Sequence, residues 1–276
     1  MTIEDVKFWI WCHRVFGRRV VHDEPGAWYA GKKPILWAHA GGGRLCVYSN
    51  SKESIDDSIA QGLKVLELDV AVTADGVPVL SHWFRPCGVD LYGGRPTLQQ
   101  FKDTPVGGRY TPLTLEALFE NYGEFDGWFA LDPYFIFRSG WRFDLVSWLR
   151  RHCTTSQLGK IIYQVPTLGS AKALARNHPF ASIHYSFPAD IDLPRNRWLL
   201  SSHLRALTAF GVHSVSLGNR PISEATRETV QIIRRTGLHV SIVDVDSVDE
   251  CRRWMDIGAD VFNSRLLHPK QFSGGR

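Results

Sequence analysis

Residues 65–82 read Val65-Leu66-Glu67-Leu68-Asp69-Val70-Ala71-Val72-Thr73-Ala74-Asp75-Gly76-Val77-Pro78-Val79-Leu80-Ser81-His82. The first eight are apolar except for two acids, which suits a strand covered on both faces. Side chains alternate along a strand, so Glu67 and Asp69 share one face. Leu66, Leu68 and Val70 then share the other, the face that helices would cover. Val77–Ser81 reads as a short second strand that ends at His82.

Working outward, the same kind of short apolar run recurs at Ile35–Ala38, Trp128–Leu131, Lys160–Val165, Ser182–Ser186, Val212–Leu217, His239–Val243 and Asp260–Asn263. Helical patterns lie between them: Ser51–Gln61, Leu115–Tyr122, Phe143–Arg151, Ala171–Asn177, Trp198–Phe210 and Glu224–Arg235. Ser247 and Glu250 have capping-box spacing before a last helix, and Gly237 and Gly258 stand where helices should stop. Strand–helix alternation implies a parallel sheet, and eight repeats imply a single-domain α/β fold closed as a (β/α)8 barrel over residues 35–270. The competing architecture is an open doubly wound sheet. No GxGxxG follows a strand and no Walker loop is present, which weighs against a nucleotide-binding fold. Residues 271–276 read as a flexible tail.

The 276 residues, 44% hydrophobic and 22% charged, suit one such barrel. A net charge of +4 is mild and spread out; it does not point to nucleic acid and is compatible with an anionic substrate. The cysteines, Cys12, Cys46, Cys87, Cys153 and Cys251, are odd in number and form no CxxC pair. They read as reduced thiols of a cytoplasmic protein. No run is long and apolar enough for a membrane-spanning helix, and Met-Thr-Ile-Glu-Asp is not a secretory signal. Residues 1–34 form a basic, aromatic extension read as helical. Its stretch 7–21 holds Lys7, Arg14, Arg18 and Arg19 with Phe8, Trp9, Trp11 and Phe16. It can lie peripherally on an anionic membrane surface or pack on the barrel and close its N-terminal end. The oligomeric state is not read from the sequence.

Barrel enzymes carry their chemistry at the C-terminal ends of the strands. His39 follows the first strand there, Glu67 and Asp69 lie in the second, His82 follows the short strand, and Asp132 ends the next barrel strand. Two carboxylates facing one interior repel, and neither ionises cheaply. A divalent cation resolves this, and carboxylate oxygens suit the hard ions Mg²⁺ and Ca²⁺. Alternatively, an Arg or Lys neutralises one acid in a structural pair. His39 and His82 read as an acid–base pair, because imidazole titrates nearest to neutral pH.

These residues resemble a known family. His39-Ala40-Gly41-Gly42 resembles the His-Arg-Gly opening of glycerophosphodiester phosphodiesterases, and Tyr48-Ser49-Asn50-Ser51 resembles their Pro-Glu-Asn-Thr. The stretch from Glu67 through Thr73-Ala74-Asp75-Gly76 to His82 is similar to their Glu-x-Asp-Val-x-x-Thr-x-Asp-Gly-x-x-Val-x-x-His. Pro112-Leu113-Thr114-Leu115-Glu116 and Gly258-Ala259-Asp260-Val261 match later elements. The resemblance implies a metal-dependent phosphodiester hydrolase, with one Mg²⁺ or Ca²⁺ on Glu67, Asp69 and Asp132 and with His39 and His82 as acid and base. The implied substrate is a glycerophosphodiester, split into glycerol phosphate and an alcohol. The sequence departs from the family where Ala40 replaces the usual Arg, Tyr134 the usual Lys, and Val243 the expected Trp. Arg44, Arg85 and Arg265, in loops after strands, are candidate replacement cations for the phosphate, with Tyr134 beside them. Sphingomyelinase D and related phospholipases also lack that Arg and use Asp as third ligand. A lipid phosphodiester substrate and a metal-binding barrel without turnover therefore stand as alternatives.

Overall fold

The computed structural model describes residues 27–29, 34–84, 93–138, 143–175, 178–186 and 197–272. Its strands are β1 (Ile35–Ala38), β2 (Val65–Val72), β3 (Pro78–Leu80), β4 (Trp128–Asp132), β5 (Ile161–Val165), β6 (Ser182–Ser186), β7 (Val212–Gly218), β8 (His239–Val243) and β9 (Val261–Ser264). All but β3 pair in parallel in the order β1-β9-β8-β7-β6-β5-β4-β2, and a β1–β2 pairing closes the ring. β3 folds back antiparallel on β2, with Val70 opposite Leu80. The result is the expected eight-stranded barrel, with helices between its strands.

Those helices start where short polar side chains can satisfy free backbone N–H groups. The hydroxyl of Ser51 accepts from the N–H of Ser54 at the head of α1 (Lys52–Ala60). Gln100 and Thr97 cap α2 (Leu98–Asp103) reciprocally, and Thr114 caps α3 (Leu115–Tyr122). The chain continues through α4 (Tyr134–Arg138), α5 (Leu145–His152), α6 (Thr155–Leu158), α7 (Leu168–Leu174), α8 (Arg197–Ala209), α9 (Glu224–Arg235) and α10 (Val248–Asp256). Ser247 accepts from the N–H of Glu250 at the head of α10. Gly237 and Gly258 hold φ of 85° and 109° just past α9 and α10, a region that glycine enters without strain.

Alternation along β2 divides its side chains as the sequence implies. Leu66, Leu68 and Val70 are buried with Leu115, Leu118 and Leu131 between sheet and helices. Each such side chain contributes about 1.5–3 kcal/mol of burial free energy. Inside the barrel, the lower layer is apolar: Trp37, Val65, Ala130, Ile162 and Val261. Trp28 fills the N-terminal opening beneath them, with its ring edge-on to Trp37 at 5.7 Å. Residues 27–29 are the part of the extension 1–34 that packs here; the stretch 7–21 lies outside the described residues.

Three short helices, α2, α4 and α6, are absent from the sequence reading, and α7 begins earlier than Ala171 because Thr167 caps it. Gln271 and Phe272, placed in the expected tail 271–276, belong to a 3-10 turn, and Phe272 packs on the core; residues 273–276 lie outside the described residues. The reading of all cysteines as reduced is corrected: Cys153 and Cys251 are free, but Cys46 is disulfide-bonded. Scattered spacing in the chain says nothing about which loops meet in space. No helix among the described residues is long and apolar enough to cross a membrane.

Candidate active site

Parallel pairing of β2 with β4 sets Asp69 directly opposite Asp132, one step above Glu67 opposite Ala130. Three inward carboxylates therefore converge at the C-terminal end of the barrel. Glu67 and Asp69 are 2% and 3% exposed. One oxygen from each of Glu67, Asp69 and Asp132 can lie within 4.8 Å of the others. Opposite ligands of a single ion stand about twice the metal–oxygen distance apart, so ~4–5 Å for Mg²⁺ or Ca²⁺. The spread and the all-oxygen donor set fit such an ion.

Each carboxylate is aimed by neutral donors. The Ala40 N–H donates to Glu67 Oε2 at 2.8 Å, and Gln164 Nε2 donates to Oε1 at 3.3 Å. Asn50 clamps Asp69, donating to its Oδ2 and accepting from its N–H, both at 2.9 Å. The Tyr134 N–H donates to Asp132 Oδ1 at 2.8 Å. Among the described residues no Lys or Arg pairs with any of the three; the nearest cationic side chain is His39, 3.9 Å from Glu67. Burial, then the charge of Asp69, hold Glu67 and Asp132 well above the usual carboxylate range. A bound cation would reverse that, since it favours the ionised form.

The backbone needed to place these groups is unusual. Ala40, Tyr48, Asn50, Trp83, Phe84 and Asp244 all have positive φ, and all sit in loops at the C-terminal mouth. They are every non-glycine residue of that kind among those described. Such strain collects where a site fixes it. After His39 the chain turns through Gly42 and Gly43, where a Cβ would come within 2.2 Å of Ser58 Oγ and 2.5 Å of Arg265 Cβ. Only glycine lets β1 turn this tightly against α1 and the loop after β9.

His39 and His82 flank the carboxylates and share a neighbour. Tyr48 stacks on His82 at 4.7 Å and meets His39 edge-on at 5.2 Å. Phe135, delivered by α4, closes the far edge of His82 at 5.0 Å. The Nδ1–H of His39 donates to Asp244 Oδ1 at 3.0 Å, which leaves Nε2 facing Glu67, 3.9 Å away. The environments push the two rings apart. Burial lowers His39, but the hydrogen bond to Asp244 and the charges of Glu67, Asp244 and Asp69 outweigh it and push it up to about 9. Burial, with the charge of His39, lowers His82 against the pull of Asp69 and Asp244.

The candidate phosphate-binding residues fare differently. Arg44 points away and pairs with Asp57 at 3.0 Å in an exposed position. Arg265 stays at the mouth, its guanidinium 5.8 Å from the Tyr48 ring, held by Asp246 at 2.8 Å through Nε. Tyr134 contributes its backbone N–H to Asp132, and Arg85 lies outside the described residues. Sequence reasoning missed Asp244, Asn50 and Gln164. Asp244 was findable by the same rule that found Asp132, an acid ending a barrel strand. Asn50 lies in the stretch Tyr48–Ser51, where no residue type singles it out, and nothing marks Gln164 except its place in β5.

The comparisons agree with this geometry. The sequence model of the glycerophosphoryl diester phosphodiesterase family matches residues 39–85, the segment holding His39, Glu67, Asp69 and His82. A glycerophosphodiester phosphodiesterase from Parabacteroides distasonis is 18% identical, with TM-score 0.64, over 87% of this chain and 96% of that one. An Oleispira antarctica phosphodiesterase in complex with the product sn-glycerol-3-phosphate is 19% identical, with TM-score 0.63, over 84% and 93%. One from Thermotoga maritima is 17% identical, with TM-score 0.62, over 85% and 96%. At these identities the structural likeness establishes the barrel. A search of curated protein sequences returns no match. The family that the sequence resembles is thus the one whose model matches, and the match covers residues 39–85, a minority of the chain.

Proposed function

We propose that this protein hydrolyses a glycerophosphodiester, giving glycerol phosphate and an alcohol, with one Mg²⁺ or Ca²⁺ held by Glu67, Asp69 and Asp132. The carrying observation is the convergence of three buried carboxylates without an Arg or Lys partner beside two histidines of opposed acidity. Product bound in the Oleispira antarctica phosphodiesterase supports the substrate class. When bound, the ion supplies a Lewis acid for a phosphate oxygen.

The chain's own residues supply the proton transfers. His82, lowered and therefore neutral at pH 7, takes the proton of the attacking water, whose oxygen bonds to phosphorus as the bond to the leaving alcohol oxygen breaks. His39, raised and tethered to Asp244, gives a proton from Nε2 to the leaving oxygen. Asp244 fixes the tautomer and stabilises the imidazolium through its hydrogen bond to Nδ1. Tyr48 and Phe135 fix the ring plane of His82. Arg265 is the candidate cation for the phosphate nearest the mouth, in place of the Arg and Lys that Ala40 and Tyr134 replace. The disulfide at Cys46 favours an oxidising compartment over the cytoplasmic location expected from the sequence.

The test is hydrolysis of bis(p-nitrophenyl) phosphate and glycerophosphocholine with Mg²⁺, Ca²⁺ or EDTA, in wild type and in His39→Ala and His82→Ala. Metal-dependent turnover lost in both variants supports the reading. Turnover unaffected by EDTA, or no turnover with any metal, overturns it.

A further inference from the structure

Four large hydrophobic side chains are exposed among the described residues: Leu45, Val47, Trp83 and Leu266, at 38–47% of their full accessibility. All four lie at the mouth of the candidate active site. Val47 precedes Tyr48, the ring against both histidines. Trp83 follows His82 and lies 4.1 Å from the Phe135 ring. Leu266 follows Arg265, whose guanidinium sits over Tyr48. Leu45 and Val47 flank Cys46 on the loop that leads to Tyr48.

Scattered exposed apolar side chains are ordinary on a protein surface; confinement of all of them to one rim is not. We infer that this rim enters the apolar layer of a lipid surface and that the site takes a phosphodiester carrying at least one acyl chain. Two features select a lipid over a second protein. Four side chains, each less than half exposed, offer far less than the ~800 Å² per partner of a stable protein–protein interface. They also stand on three different loops, and insertion into acyl chains needs no complementary shape, only apolar tips around a polar opening. An acyl phosphodiester joins the two chemistries found here, a polar head for the carboxylates and histidines and an apolar tail for the rim. The inference rests on the phosphodiesterase reading for what is cleaved, but not for the docking.

The experiment is flotation of the full chain with phosphatidylcholine vesicles at high ionic strength, where purely electrostatic adsorption is screened. Wild type is expected to float. The Leu45→Ser, Val47→Ser, Leu266→Ser triple variant, with unchanged melting temperature, is expected to lose at least about tenfold of its partition. A Phe8→Ser, Trp9→Ser, Trp11→Ser variant is expected to float as wild type does. No flotation of wild type overturns the inference. So does flotation that survives the rim variant, or that is lost only with the residue 8–11 variant. A wild-type dimer that dissociates in the rim variant also overturns it, because a second copy then covers the rim. Hydrolysis of the water-soluble diester is read separately, so failure to float and failure to hydrolyse are distinguishable.

Discussion

Two buried acidic centres sit at opposite ends of one barrel, and they are neutralised in different ways. At the N-terminal end, Asp260 is 1% exposed and fully matched by its own chain. Arg234 donates to it at 2.7 Å, His239 at 3.2 Å and the Val240 N–H at 3.3 Å, and the Tyr29 hydroxyl adds another bond. At the C-terminal end, Glu67, Asp69 and Asp132 receive only amide and backbone donors, with His39 nearby. Neutral donors orient a carboxylate but do not cancel its charge. The contrast separates an acid given its counter-charge by the sequence from acids left with neutral donors, which is the difference the proposed cation site requires.

The comparison can be broken first at the mouth. Glu67→Gln should lower kcat for bis(p-nitrophenyl) phosphate by about a thousandfold, the scale on which a site loses a preorganised electrostatic group. In EDTA the same variant should melt no lower than wild type, because it removes crowded charge. Asp244→Asn should lower kcat roughly 10- to 100-fold. It should also move the alkaline limb of the pH–kcat profile to lower pH, since His39 loses the partner that keeps it protonated. An unchanged limb would separate Asp244 from proton transfer. At the other end, Asp260→Asn should cost about 2–3 kcal/mol in urea unfolding with or without metal, discounted for the partial exposure of Arg234.

A smaller effect sharpens the same contrast. Glu67 and Asp132 are raised in the folded state, to about 8 and about 7, so the folded chain binds more protons than the unfolded one between pH ~4 and those values. Without metal, the melting temperature should therefore fall as pH rises from 5 to about 8, and Mg²⁺ or Ca²⁺ should restore it. Raised metal-free stability at pH 8 would contradict the charge crowding. Smallest of all, Arg44→Ala should change stability by no more than about 0.5 kcal/mol, because its pair with Asp57 is exposed.

Much of this was legible from the chain. β6 and β8 lie where their apolar runs end, and the carboxylate face of β2 follows from alternation alone. The missed short helices carry too few residues for a periodic signal. α4 also follows Pro133, so no polar cap announces it. Asp244 stands just past the strand His239–Val243, outside the motifs that carry the family resemblance. Arg44 was misplaced because a loop cation has no periodicity that says which way it turns. The disulfide at Cys46 was hidden for the same reason: loop geometry is set by tertiary packing.

The central claim is that the C-terminal carboxylates form a divalent cation site. Calorimetric titration of Mg²⁺ and of Ca²⁺ into wild type and Glu67→Gln at neutral pH tests it most directly. One ion bound per wild-type chain, with binding lost in the variant, is the expected result. No binding of either ion, or equal binding by both proteins, would contradict the account.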